Sequence, residues 1–152
     1  MTMETENKTP WHLWVVGLLT LIWNGFGAYD YVMSKTENRE YLAQMMEPTG
    51  VSVDGAIAYM NAMPLWANIA WGLGVWGAVA GSVLLLLRKR FAFHAFAVSL
   101  VGLVFGMIHQ WTNPMPEMTD TTTPMVFTLV IFAITLFLLW YTRRMAVKGV
   151  LR

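Results

Sequence analysis

Asp30 and His109 are the two residues of this chain best placed to do chemistry, because each is a titratable group set in a long apolar stretch. An ionisable side chain in such a setting is costly and marks a site with a partner to be named. A carboxylate beside an imidazole favours the charged form of both, and the expected pair is Asp30 with His109. Asn24, Asn68 and Gln110 are the further polar groups in the same stretches, with Thr128 a little deeper. Counting helical rise places Asp30, Asn68, His109 and Gln110 at one depth, about 12 Å from the middle of their helices. The expectation is an outward-facing polar layer that binds a solute or a proton. The alternative is a polar cap satisfied by water and headgroups. Asn24, near the middle of its run, reads as a hydrogen bond between helices.

Two other chemistries use the same residue types. Nine methionines are expected on the outer half of the bundle, the side that also holds His109, whereas Met1, Met3 and Met145 are not. Thioethers suit Cu(I), so Met60, Met63, Met115 and Met118 with His109 form an alternative copper set. The competing reading is methionine as a flexible filler of apolar gaps. His12 and His94, on different runs, could ligate haem as a facing pair, although solvated histidines at the interface fit their positions better. No cofactor and no resident metal is expected. The chain has no cysteine, which excludes disulfides, thiolate metal sites and thiol nucleophiles. Ser34, Ser52 and the Thr121–Thr123 run have no neighbouring histidine in sequence, so no enzyme is expected.

The elements that position these residues follow from hydropathy. The 152 residues are 57% hydrophobic and only 12% charged, about half the charge of a usual soluble domain. Four runs, 11–33, 64–88, 91–111 and 124–143, reach the length of about 20 residues needed to cross a bilayer as a helix. The backbone in lipid must satisfy its own hydrogen bonds, and this makes the runs helices. The expected fold is all-α: a four-helix transmembrane bundle, a single domain, with short helices in its outer loop. The first run follows Glu4, Glu6 and Lys8 and is long for a cleavable leader; it reads as a retained helix.

Orientation follows from the basic residues. Lys8, Arg88, Lys89, Arg90, Arg143, Arg144, Lys148 and Arg152 fall on one side, and only Lys35 and Arg39 on the other. The side rich in Lys and Arg is cytoplasmic by the positive-inside rule, which puts both termini there. Trp11, Trp14, Trp140 and Tyr141 mark the inner boundary; Tyr29, Tyr31, Trp66 and Trp111 mark the outer one. Trp23, Trp71 and Trp76 lie deeper and are expected between helices.

The outer loop 34–63 is expected to hold one short helix over 37–46, broken by Pro48-Thr49-Gly50, and a second capped by Asp54 and running to Met63. The loop 112–123 is expected to be irregular. Gly74, Gly77 and Gly81 on the second run, with Gly102 and Gly106 on the third, repeat at spacings that let helix backbones approach. They pack either within one chain or between copies in a homo-oligomer. Gly72-Leu73-Gly74-Val75-Trp76-Gly77 matches a dinucleotide fingerprint in letters only, since it lacks the preceding strand. No nucleic-acid partner is indicated; the lipid bilayer is the expected partner. No internal repeat suggests an inverted-repeat carrier.

Several stretches carry a resemblance. His12-Leu13-Trp14-Val15-Val16-Gly17, Trp23-Asn24-Gly25, Ala28-Tyr29-Asp30-Tyr31, Pro64-x-Trp66-Ala67, the 81–90 turn and the ending Gly149-Val150-Leu151-Arg152 together resemble a family of small bacterial four-helix inner-membrane proteins. Some members are labelled sugar transporters. The resemblance implies a multi-pass inner-membrane location and a family pattern that includes Trp23, Asn24 and Asp30, and it implies no substrate. Two functions are therefore expected to compete: a transport-related protein using the outer polar layer, and an accessory or stress-related protein that binds partners in the bilayer.

Overall fold

The computed structural model describes residues 8–152; Met1, Met3, Glu4 and Glu6 lie outside the described residues. Six α-helices and one 3-10 turn, and no strand, are present among the described residues. Four helices are long: α1 (Trp11–Lys35), α4 (Leu65–Leu86), α5 (Phe91–Thr112) and α6 (Thr122–Val147). Two are short: α2 (Arg39–Met46) and α3 (Val53–Ala62), separated by the 3-10 turn Glu47–Thr49. The described residues form helices and no strands, as expected for an all-α fold.

Helices α4, α5 and α6 are long and apolar enough to cross a membrane. Of the four helices expected to be so, these three are. Helix α1 has 25 residues, but His12, Asn24 and Asp30 dilute its apolar character.

The tightest packing is between α4 and α5, which run antiparallel across the turn 87–90. Glycines make this contact. A Cβ on Gly102 would lie 2.5 Å from the Ala70 carbonyl oxygen and from the Gly74 amide nitrogen. One on Gly81 would meet the Phe96 ring at 2.8 Å, and one on Gly77 would come within 3.1 Å of the Ala95 oxygen. The Ser99 hydroxyl, buried in the same seam, donates to the Gly74 carbonyl at 2.6 Å. Gly74, Gly77, Gly81 and Gly102 thus serve contact within the chain, while Gly106 faces open space. Helix α1 packs on α4, and α6 on α5. Rings join α1 to α6 as well: Trp23 meets Phe127 at 5.9 Å, and His12 meets Tyr141 at 5.7 Å.

The end of the molecule that carries the eight basic residues is closed by its own chain. Past α6, Gly149 takes a positive φ of 71°, which turns residues 150–152 back onto the α4–α5 turn. Arg90 N donates to the Arg152 carbonyl at 3.0 Å and Arg152 N to the Arg88 carbonyl at 2.7 Å. Leu151 is fully buried there against a cluster that includes Leu13, Leu85, Ala92, Tyr141 and Met145.

The other end is covered by α2, α3 and the 113–121 segment. Asn38 caps α2 by accepting from Tyr41 N at 3.0 Å. Gly50, at φ 76°, ends the 3-10 turn. The cap of α3 differs from expectation: Ser52, and not Asp54, accepts from Gly55 N at 3.0 Å. Asp54 sits one residue inside the helix, where a carboxylate favours the N-terminal dipole, and it forms an ion pair with Arg39. The irregular segment is anchored to this pair of helices. Glu117 accepts from the Ser52 hydroxyl at 3.1 Å, and Thr119 N donates to the Thr49 carbonyl at 3.0 Å. Leu42, Val51 and Ala56 are buried beneath.

Candidate functional site

The expected pair of Asp30 and His109 is not formed; each is taken by a tyrosine from a short helix. The Tyr41 hydroxyl of α2 donates to Asp30 at 2.7 Å. Burial, then the hydrogen bond to Asp30 and its charge, pushes the Tyr41 phenol far above its ordinary range, so it remains a donor. Near His109, the Tyr59 hydroxyl of α3 lies 3.4 Å from the ring Nδ1 and donates to the Asn113 carbonyl at 2.7 Å. Burial raises the Tyr59 phenol as well. The physical reason for the mispairing is geometric. Helix α1 packs on α4, and His109 stands on the far partner of α4.

Asn24, Asn68 and Thr128 are also occupied. Asn24 donates to the Ser82 hydroxyl at 2.9 Å and to the Ala78 carbonyl at 3.2 Å, a link between α1 and α4. Asn68 donates to the Met63 carbonyl at 3.0 Å and accepts from Lys35. The Lys35 ammonium lies 5.1 Å from the centre of the Trp71 ring, a cation–π position. Thr128 donates to Pro124 of its own helix at 2.9 Å. Gln110 is exposed. The single polar layer therefore divides into separate local pairs.

One of these localities is a cavity. Tyr59, Met63, Trp66, His109, Asn113 and Pro114 are among the residues that line a space of about 370 Å³. His109 is only 4% exposed. Its ring meets Trp66 edge-on at 5.6 Å and Tyr59 at 5.8 Å. Three elements position the group: α3 supplies Tyr59, the first turn of α4 supplies Trp66, and the last turn of α5 supplies His109. No carboxylate and no lysine or arginine lines this cavity. It can hold a neutral solute against aromatic and proline faces, with imidazole and amide groups to orient it.

Sequence reasoning singled out His109 and missed its setting. By sequence Trp66 reads as an interface marker. The antiparallel α4–α5 hairpin was itself legible, and counting outward from its turn brings the region of Trp66 level with His109. Nothing local marks Tyr59, which reaches the site only because α3 folds back.

The copper set is brought together only in part. Met63 lines the His109 cavity, whereas Met60, Met115 and Met118 are not among its lining residues. Among the described residues, no group of three or more His, Asp or Glu side chains is placed to hold a metal. The facing histidine pair considered for haem is not formed either. His12 Nδ1 and the Tyr141 hydroxyl are hydrogen-bonded at 2.6 Å, and His94 is exposed between the rings of Phe91 and Phe93. No family model, curated protein or solved structure matches the chain.

Proposed function

We propose that this chain is a four-helix transmembrane bundle of the bacterial inner membrane, with both termini cytoplasmic, that captures a small neutral solute on its outer side. The capture site is the cavity around His109. Support for α1 as the fourth span comes from its surface and its partners. Leu18, Leu19, Ile22 and Phe26 present large exposed apolar groups, while Asn24 and Asp30 are turned to internal partners. A polar group in lipid is tolerated when it is satisfied in this way. Eight basic residues at one end support the orientation.

The observation that carries the solute reading is a histidine 4% exposed that helps line a cavity of about 370 Å³ with Tyr59 and Trp66. That volume lies within the usual range for small-molecule sites. An unpaired charge would be costly to desolvate among these faces, which favours a neutral ligand such as a sugar over a charged one. The role is transport-related in the sense of outer-side capture. Asn24, the polar residue nearest the middle of α1, is committed to α4 rather than to a path inward.

The test is calorimetric titration of the purified protein in detergent with neutral sugars, quaternary ammonium compounds and organic anions. Saturable binding of a neutral compound, lost in His109→Ala and Trp66→Ala, is the expected result. Binding unaffected by both substitutions overturns the site. Uptake by reconstituted vesicles then separates a carrier from a non-transporting receptor.

A further inference from the structure

We infer that Tyr59 holds the His109 imidazole in its Nδ1–H form, so that Nε2 presents a bare lone pair to the cavity and takes a neutral solute through one of the solute's own O–H groups. The ligand class rests on the capture of a neutral solute there, whereas the form of the ring does not. The Tyr59 hydroxyl lies 2.7 Å from the Asn113 carbonyl oxygen and 3.4 Å from His109 Nδ1. A carbonyl oxygen has no proton to give, so the closer contact uses the one proton of the phenol. What Tyr59 turns toward Nδ1 is then a lone pair, and only an N–H at Nδ1 meets it favourably. Burial raises the Tyr59 phenol, which keeps its proton in place at neutral pH.

A neutral imidazole carries a single N–H, and the bond made by one ring nitrogen decides which nitrogen holds it. With the proton on Nδ1, Nε2 is an acceptor. The ring's hydrogen bond is made through Nδ1. Among the described residues, no side-chain nitrogen or oxygen that lacks a partner is sealed from solvent. Nε2 is therefore open, in a residue otherwise only 4% exposed. The space that His109 borders is the cavity of about 370 Å³.

The rest of the lining is poor in donors. Pro64, Pro114 and Pro116 border the same space and have no backbone N–H to offer. The Tyr59 proton is spent on Asn113, and the Asn113 side-chain amide donates to the Thr112 hydroxyl at 2.9 Å. Nε2 must therefore be met by a donor that the solute brings. An alcohol or a polyol brings one. An ether of the same shape leaves the buried ring nitrogen unpaired, which is costly.

The test uses the full chain in detergent at mildly alkaline pH, with nitrogen-15 in the histidine rings, read by nuclear magnetic resonance. The His109 signals are identified by their loss in His109→Gln, or by elimination from His12→Gln and His94→Gln. The wild-type protein, with no solute added, is expected to show Nδ1 as the proton-bearing nitrogen and Nε2 as the bare one. This is the reverse of the form that free histidine prefers in water. In Tyr59→Phe the ring should move toward the Nε2–H form. A wild-type ring in the Nε2–H form, or a Tyr59→Phe ring still fixed as Nδ1–H, overturns the inference. Methyl glucoside and its tetra-O-methyl ether then serve as a matched pair with and without donors. The glucoside is expected to bind tighter by about tenfold or more, and Tyr59→Phe should narrow that difference. Equal binding of the two by the wild-type protein overturns the ligand class. Binding of neither overturns it together with the capture of a neutral solute, and the nitrogen spectra decide the form of the ring by themselves.

Discussion

The Tyr41 hydroxyl donates to Asp30 at 2.7 Å, and Asp30 is the only carboxylate on the four long helices. A surface helix thus supplies the group that satisfies it. The same bond makes stability depend on alkaline pH. The Tyr41 phenol titrates near 10.0 when unfolded and well above that when folded. Its contribution is fully present below pH 10.0 and is lost as the pH rises from there toward the folded value. Tyr41→Phe should therefore flatten the loss of stability above that pH, and should cost about 1–2 kcal/mol at neutral pH. Denaturation in detergent across an alkaline series measures both.

A side chain at Gly102 has no room. The nearest atoms are backbone of α4, which cannot swing aside, so Gly102→Val should destabilise the chain by about 1–3 kcal/mol. Gly106→Val, in open space, should leave monomer stability unchanged within about 0.5 kcal/mol. If copies associate through that face, the Gly106 variant will instead shift the oligomeric mass in light scattering while leaving unfolding unchanged.

The seam between α1 and α4 is held partly by Asn24 and Ser82. Asn24→Leu should cost about 0.6 kcal/mol, the average for such a bond between membrane helices. Ser82→Ala combined with Asn24→Leu should cost less than the sum of the single changes, because both remove one interaction. A double-mutant cycle by detergent unfolding decides it.

The start of α6 is organised by Asp120, which accepts from the Thr123 hydroxyl at 2.6 Å and from Thr122 N at 2.9 Å. The Thr123 hydrogen bond, followed by that of Thr122, holds its carboxyl below its ordinary value. Whatever it contributes is present above pH 3.8 and fades as pH falls through the lower folded value. A carboxyl resonance titrating below 3.8 is expected, and Asp120→Asn should increase amide exchange over 121–124. Unchanged exchange would show that the first turn holds without it.

Leu151 is fully buried at the basic end. Leu151→Ala should cost about 2–5 kcal/mol, as for a large-to-small change in a packed core. Thermal unfolding in detergent measures it.

Helix positions were legible in the sequence because apolar runs and breakers such as Pro64 and Gly50 state them directly. The glycine spacing announced the α4–α5 seam. Pairing across the chain was less legible. Depth can be counted along one helix, but which face meets which neighbour depends on the order of helices around the molecule. Asp30 and His109 share a depth without sharing a face, and their partners, Tyr41 and Tyr59, come from loop helices whose return path no periodicity encodes. Likewise Asp54 looked like a cap by type, and Ser52, two residues earlier, took the role because it also meets Glu117.

The backbone contact of Gly102 with Ala70 and Gly74 bears on assembly in time. Its two strands of chain are joined by a turn of only four residues, 87–90, so closing it loses little chain entropy. A helical hairpin of this kind can zip up by itself soon after it enters the bilayer. Helix α1 is tethered to α4 by the longer stretch that holds α2 and α3, so bringing the two together closes a larger loop and costs more chain entropy. The Asn24 amide, with its acceptors Ala78 and Ser82 on α4, is what holds that larger loop shut.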